Sequence, residues 1–199
     1  MRAEDVAFHP NFRSLASVQG VGVDLRYATD NNFVGRNLYG ELDCAWLHKF
    51  AADALERAAE WLTWAAPDTR LLILDALRPH RIQVQLWDHL DGTDLHQYVA
   101  DPKIGSIHSY GLALDATLVD ASGREIDMGS GFDEMTDVSH PKLEVEHLSS
   151  GVLSKEHVKW RELLRQAMKV AGFSGIDNEW WHFEFLPRAE IRRGFVRVE

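Results

Sequence analysis

Two short segments constrain this chain more than anything else in it. The first runs from Ser106 to Asp115 and carries His108, Gly111 and Ala113. The second is Glu179-Trp180-Trp181-His182. Together they offer two imidazoles, one carboxylate ligand and one spare carboxylate. That is the donor inventory of a catalytic zinc: three protein ligands, an open position for water and a nearby base. A fold that brings the two segments together would make the chain a zinc hydrolase.

The local pattern supports this in part. His108 lies just before an expected strand and Asp115 within it, and Gly111 could provide the tight bend that turns both inward. Ala113 shares a strand face with Asp115 and leaves room for a metal. A surface histidine and a turn aspartate account for this segment equally well. In the second segment, Glu179 and His182 are three apart, which on a strand points them to opposite faces. Glu179 must therefore sit on the loop or bulge entering the strand to work beside His182. Glu184 shares a strand face with His182 and is a rival third ligand.

The remaining pattern predicts an α+β fold, a single domain over residues 1–199 with a mostly antiparallel central sheet and flanking helices. Strands are expected at 20–27, 71–74, 112–119, 125–128 and 180–185. Thr29 to Gly40, rich in Asn and Gly, reads as a loop. Leu47, Phe50, Ala51, Ala54, Leu55, Ala58 and Leu62 recur at helical spacing, predicting a helix over 44–65 capped by Asp43. A helix over 80–91 starts near Pro79, and another runs from a Ser154 cap to Ala171, where Gly172 stops it.

With 199 residues the chain can bury a sizeable core, and its net charge of -10 argues against nucleic-acid and anionic-membrane partners. Cys44 is the sole cysteine, so no intrachain disulfide forms; a buried structural thiol is expected there. No signal-like start and no run approaching ~20 apolar residues is present, so a cytoplasmic protein is expected. A homo-oligomer is left open.

The order Ser-x-His-x-x-Gly-x-Ala-x-Asp followed by Glu-x-x-His resembles the metallopeptidases of the D-alanyl-D-alanine peptidase and hedgehog superfamily. Within it, the VanX-type D-alanyl-D-alanine dipeptidases are most similar. Tyr27-Ala28-Thr29 with Asn32, Phe33 and Gly35, Asp75-Ala76-Leu77-Arg78-Pro79, and Met128 to Asp133 resemble further motifs of that family, so the likeness spans about residues 20–186. It implies one Zn²⁺ per chain on His108, Asp115 and His182, with Glu179 as general base and Arg78 as oxyanion stabiliser. It also implies a small dipeptide substrate, with Ser106 and Asp133 lining its pocket and Asp133 facing the ammonium. Relatives commonly carry Tyr before the motif arginine; Leu77 stands here and puts pocket shape in question. Two other readings are a peptidoglycan-stem D,D-carboxypeptidase or endopeptidase and a non-catalytic zinc-binding domain.

Overall fold

The computed structural model describes residues 1–199. Its centre is a five-stranded sheet built from β2 (Val21–Val23), β4 (Arg70–Asp75), β5 (Ala113–Val119), β6 (Phe173–Gly175) and β7 (His182–Phe185), in the order β2-β4-β5-β7-β6. β2 pairs with β4 in parallel and the other pairings are antiparallel, so the sheet is mixed, within the expected α+β class. β1 (Phe12–Ser14) and β3 (Trp46–His48) form a separate antiparallel ribbon. Flanking helices are α1 (Lys49–Ala65), α2 (His80–His89), α3 (Glu144–Ser150), α4 (Lys155–Val170) and α5 (Arg188–Gly194). No helix is long and apolar enough to cross a membrane.

The periodic apolar residues do what their spacing demands. Ala51, Ala54, Leu55, Ala58 and Leu62 of α1 are buried against Leu71 and Ile73 of β4 and Leu164, Ala167 and Met168 of α4 in one core. Each buried Leu or Ile contributes about 2 kcal/mol by leaving water. Ser154 caps α4 in a capping box completed by the His157 side chain.

Several boundaries differ from expectation. Residues 46–48 are extended, because they pair with Phe12–Ser14, and α1 starts only at Lys49 with His48 as its cap instead of Asp43. The first strand is cut to Val21–Val23, and Arg26–Ala28 forms a 3-10 turn. Residues 125–128 do not form a strand; a single bridge joins Glu125 to Val119. The Met128 carbonyl instead accepts from Arg161 Nε at 2.7 Å. That buried guanidinium also binds the Val138 carbonyl and Ser130 Oγ, and so ties the segment bearing Asp133 to α4. Trp180 Nε1 donates to the same Ser130 Oγ at 3.0 Å, linking the second half-site to this scaffold.

His48 makes stability depend on pH. Its Nδ1 accepts from Phe50 N at 3.4 Å, and the rings of Phe50 and Phe195 lie 4.8 and 4.9 Å away. Burial, helped by Lys49, pulls its pKa down to about 4. The unfolded chain therefore binds more protons than the folded one between that value and the ordinary ~6.5, so stability is lost as pH falls through this window. His48→Asn keeps a capping acceptor but does not titrate. Urea unfolding is expected to show the wild type losing about 2 kcal/mol more than the variant between pH 7 and 5. Parallel pH curves would contradict this.

Candidate metal centre and cleft

The sheet brings the two half-sites together by register. Asp115 on β5 lies directly opposite His182 on β7 and, on its other side, opposite Asp75 at the end of β4. His108 comes from the 3-10 turn Ile107–Tyr110, which enters β5. Gly111 ends that turn at φ 65°, where a Cβ would stand 2.8 Å from His48 N and from the Phe12 ring. Only glycine lets the turn approach the ribbon so closely. Glu179 lies outside β7, on the segment entering it, as its spacing from His182 required.

His108, Asp115 and His182 are buried and converge. His108 Nε2 lies 3.1 Å from His182 Nδ1 and 3.4 Å from Asp115 Oδ1, and His182 Nδ1 lies 3.0 Å from Asp115 Oδ1. Three ligands at ~2.0–2.1 Å around a tetrahedral ion sit about 3.3 Å apart, so the triangle has the right size. The tautomers fit as well. His108 Nδ1 donates to the Ala76 carbonyl at 2.8 Å, and His182 Nε2 donates to Glu184 Oε1 at 3.1 Å. Each ring thus turns a lone pair inward, as hydrogen bonds at the outer nitrogen do for metal-binding histidines. Glu184 sits on the far nitrogen of His182, gripped by Arg188 at 2.8 and 2.9 Å, and does not join the inner triangle.

The electrostatics call for a cation. Burial opposes charge on His182, yet its hydrogen bonds to the Asp115 and Glu184 carboxylates prevail and push it up to about 10. Burial works against charge on Asp115 too, but His108 and His182 hold its pKa well below the usual range. Surroundings that attract a proton this strongly suit a divalent metal equally well.

Beside the triangle, Glu179 Oε2 lies 4.0 Å from His182 Nδ1. Burial pushes its carboxyl up to about 7, against the pull of His182. Arg78 is held by Asp75 at 2.8 Å through Nε, by Gln83 at 3.1 Å, and by Asp115 at 3.5 Å. Its guanidinium stacks over Tyr27, 4.9 Å from the ring centre. Asp75 also accepts from the Tyr39 hydroxyl. Two aspartates facing each other across strands would repel; Arg78 touches both and offsets this.

Arg78, Ser106, His108, Asp115, Asp133, Glu179 and His182 all line one cleft of about 170 Å³. Ser106 Oγ caps the 3-10 turn by accepting from His108 N. Asp133 sits at φ 59° with Oδ1 on the Tyr27 hydroxyl at 3.1 Å, while its buried Oδ2 has no partner. Leu77 is fully buried against Ala3, Val6 and Val198, away from the cleft, so its departure from the tyrosine pattern does not reshape the pocket wall. Cys44 is a buried thiol whose pKa burial pushes up. Arg188 and Arg192 escaped the sequence reading, and Asp75 entered it only as part of the arginine motif. Glu184, weighed there as a rival third ligand, instead accepts from the outer nitrogen of His182.

Residues 11–198 match the peptidase M15 family described as D-Ala-D-Ala dipeptidase. The D-alanyl-D-alanine dipeptidase of Escherichia coli is 40% identical over 84% of this chain and 79% of its own length. That of Enterococcus faecium is 31% identical over 83% of this chain and 86% of its own. That of Synechocystis is 31% identical over 65% of this chain and 64% of its own.

Proposed function

The chain belongs to the D-Ala-D-Ala dipeptidase family of M15 peptidases, and from that premise we propose that it is a zinc-dependent hydrolase of the D-Ala-D-Ala dipeptide acting as one domain. The observation that carries this reading is the buried triangle of His108 Nε2, Asp115 Oδ1 and His182 Nδ1, its edges 3.0–3.4 Å, with both imidazole lone pairs turned inward. His108, Asp115 and His182 would hold one zinc. Once bound, zinc would supply Lewis-acid polarisation of the scissile carbonyl, lower the pKa of the attacking water toward ~7 and favour the ionised form of Glu179.

Glu179 takes a proton as the water oxygen bonds to the carbonyl carbon. Its carboxyl then gives that proton to the amine as the C–N bond breaks, releasing two D-alanines. Arg78, fixed by Asp75 and Gln83, presents a permanent positive charge to the oxyanion. Asp133 Oδ2 accepts from the substrate ammonium, and Ser106 lines the pocket. The cleft volume of about 170 Å³ is small beside the ~300–1,000 Å³ of drug-sized pockets, which favours a dipeptide over a peptidoglycan stem.

Alanine release from D-Ala-D-Ala, L-Ala-L-Ala and a pentapeptide ending in D-Ala-D-Ala tests this reading. The D,D-dipeptide is expected to lead both others by about 100-fold in kcat/KM. A faster pentapeptide would instead support a D,D-carboxypeptidase. Zinc-loaded protein inert to all three would support a non-catalytic zinc domain.

A further inference from the structure

A free dipeptide carries a carboxylate as well as an ammonium, and nothing above holds the carboxylate. Six buried side-chain nitrogen or oxygen atoms in this protein have no hydrogen-bond partner: Arg26 Nε, His80 Nδ1, Ser109 Oγ, Asp133 Oδ2, His140 Nδ1 and Arg192 Nε. Only two of them belong to residues that line the cleft, Asp133 and Arg192. One is a carboxyl that burial pushes well above the usual carboxylate range, and the other is a guanidinium. Leaving either buried and unpaired costs free energy that an opposite charge on a ligand would recover.

The three arginines of the cleft are not equivalent. Arg78 is committed to Asp75, Gln83 and Asp115. Arg188 is committed to Glu184. Arg192 has no carboxylate partner; its one hydrogen bond runs from Nη2 to the Gly105 carbonyl at 3.1 Å. That bond sets the half-buried guanidinium beside Ser106, the residue that caps the His108 turn. Arg192 lines the cleft from α5, and Asp133 lines it from the loop between β5 and α3.

We propose that Arg192 anchors the C-terminal carboxylate of the substrate, so that the cleft recognises a short zwitterion by both ends. This rests on the dipeptidase reading above and deepens it to a specificity determinant. A guanidinium fork suits a carboxylate, because two N–H donors match two oxygens. Extending the substrate on the amine side removes the ammonium from Asp133. Blocking the other end removes the charge that Arg192 binds. Arg192 takes no part in bond making or breaking.

The experiment compares D-Ala-D-Ala with its C-terminal amide in wild type, Arg192→Gln and Arg192→Lys. The wild type is expected to favour the free acid. Arg192→Gln is expected to lower kcat/KM for the acid by about 10- to 100-fold, mostly through KM, and to change the amide less than about twofold. Arg192→Lys is expected to restore part of the preference. Calorimetric binding of both compounds to zinc-loaded Glu179→Gln protein, with and without Arg192→Gln, is expected to show the same loss for the acid alone. Equal losses for acid and amide, or no loss for either, would overturn the anchor while leaving the dipeptidase reading in place. A wild type that neither hydrolyses nor binds either compound would overturn both.

Discussion

Glu179→Gln is expected to lower kcat for D-Ala-D-Ala by about 10²- to 10⁴-fold while leaving zinc bound and KM nearly unchanged. The side chain lies outside the donor triangle, 4.0 Å from His182 Nδ1, so its loss removes a proton carrier and not a ligand. In the metal-free protein burial pushes its carboxyl up to about 7, which makes it a stronger base than an exposed glutamate. Glutamine keeps the size and polarity of the side chain but carries no exchangeable acid. Parallel measurement of zinc content and turnover separates the two roles. Undiminished turnover would remove Glu179 from the mechanism. Loss of zinc together with activity would make it a ligand.

Removing the carboxylate of Asp115 is expected to act earlier, on the metal itself. Asp115 is the single anion of the triangle and faces His182 across the β5–β7 pairing. In Asp115→Ala the two imidazole lone pairs still converge, but no negative charge balances a divalent ion. Zinc affinity is expected to fall by more than about 100-fold, since changes even at groups hydrogen-bonded to metal ligands cost 10- to 100-fold. The fold should survive, because Arg78 keeps its bond to Asp75 and Asp75 keeps the Tyr39 hydroxyl. Zinc retained after dialysis, read beside thermal melting, checks both halves of this expectation.

What could be read from the sequence follows from how local each signal is. The strand at 70–75, the strand at 113–119 and the helix at 155–170 are set by patterns within themselves: an apolar run, a Gly-led strand and a Ser-capped amphipathic stretch. The extended residues 46–48 could not be separated from the helix that follows, because their partner is Phe12–Ser14, more than thirty positions away. Residues 125–128 have strand-like composition, yet the Met128 carbonyl is taken by Arg161 and Glu125 by Arg26, so the pairing stops after one bridge. The same distinction governs the cleft. Its seven expected residues were legible because they sit in two compact segments and a few short motifs. Arg192 was not, since an arginine near the end of a chain looks like a solvated charge, and Glu184 was legible only as a rival ligand and not as the partner of the outer His182 nitrogen. Only the closure of β7 on β5, and of α5 on Gly105, shows what they face.

The most direct test is a zinc titration of chelator-stripped protein, following alanine released from D-Ala-D-Ala. Stripped protein is expected to be inactive, and activity to rise linearly with added zinc and level off at about one equivalent per chain, as three protein ligands and an open position imply. Asp115→Ala should stay flat through the same additions. Turnover that persists after stripping, or protein holding one zinc per chain that releases no alanine, would contradict a zinc-dependent dipeptidase at this site.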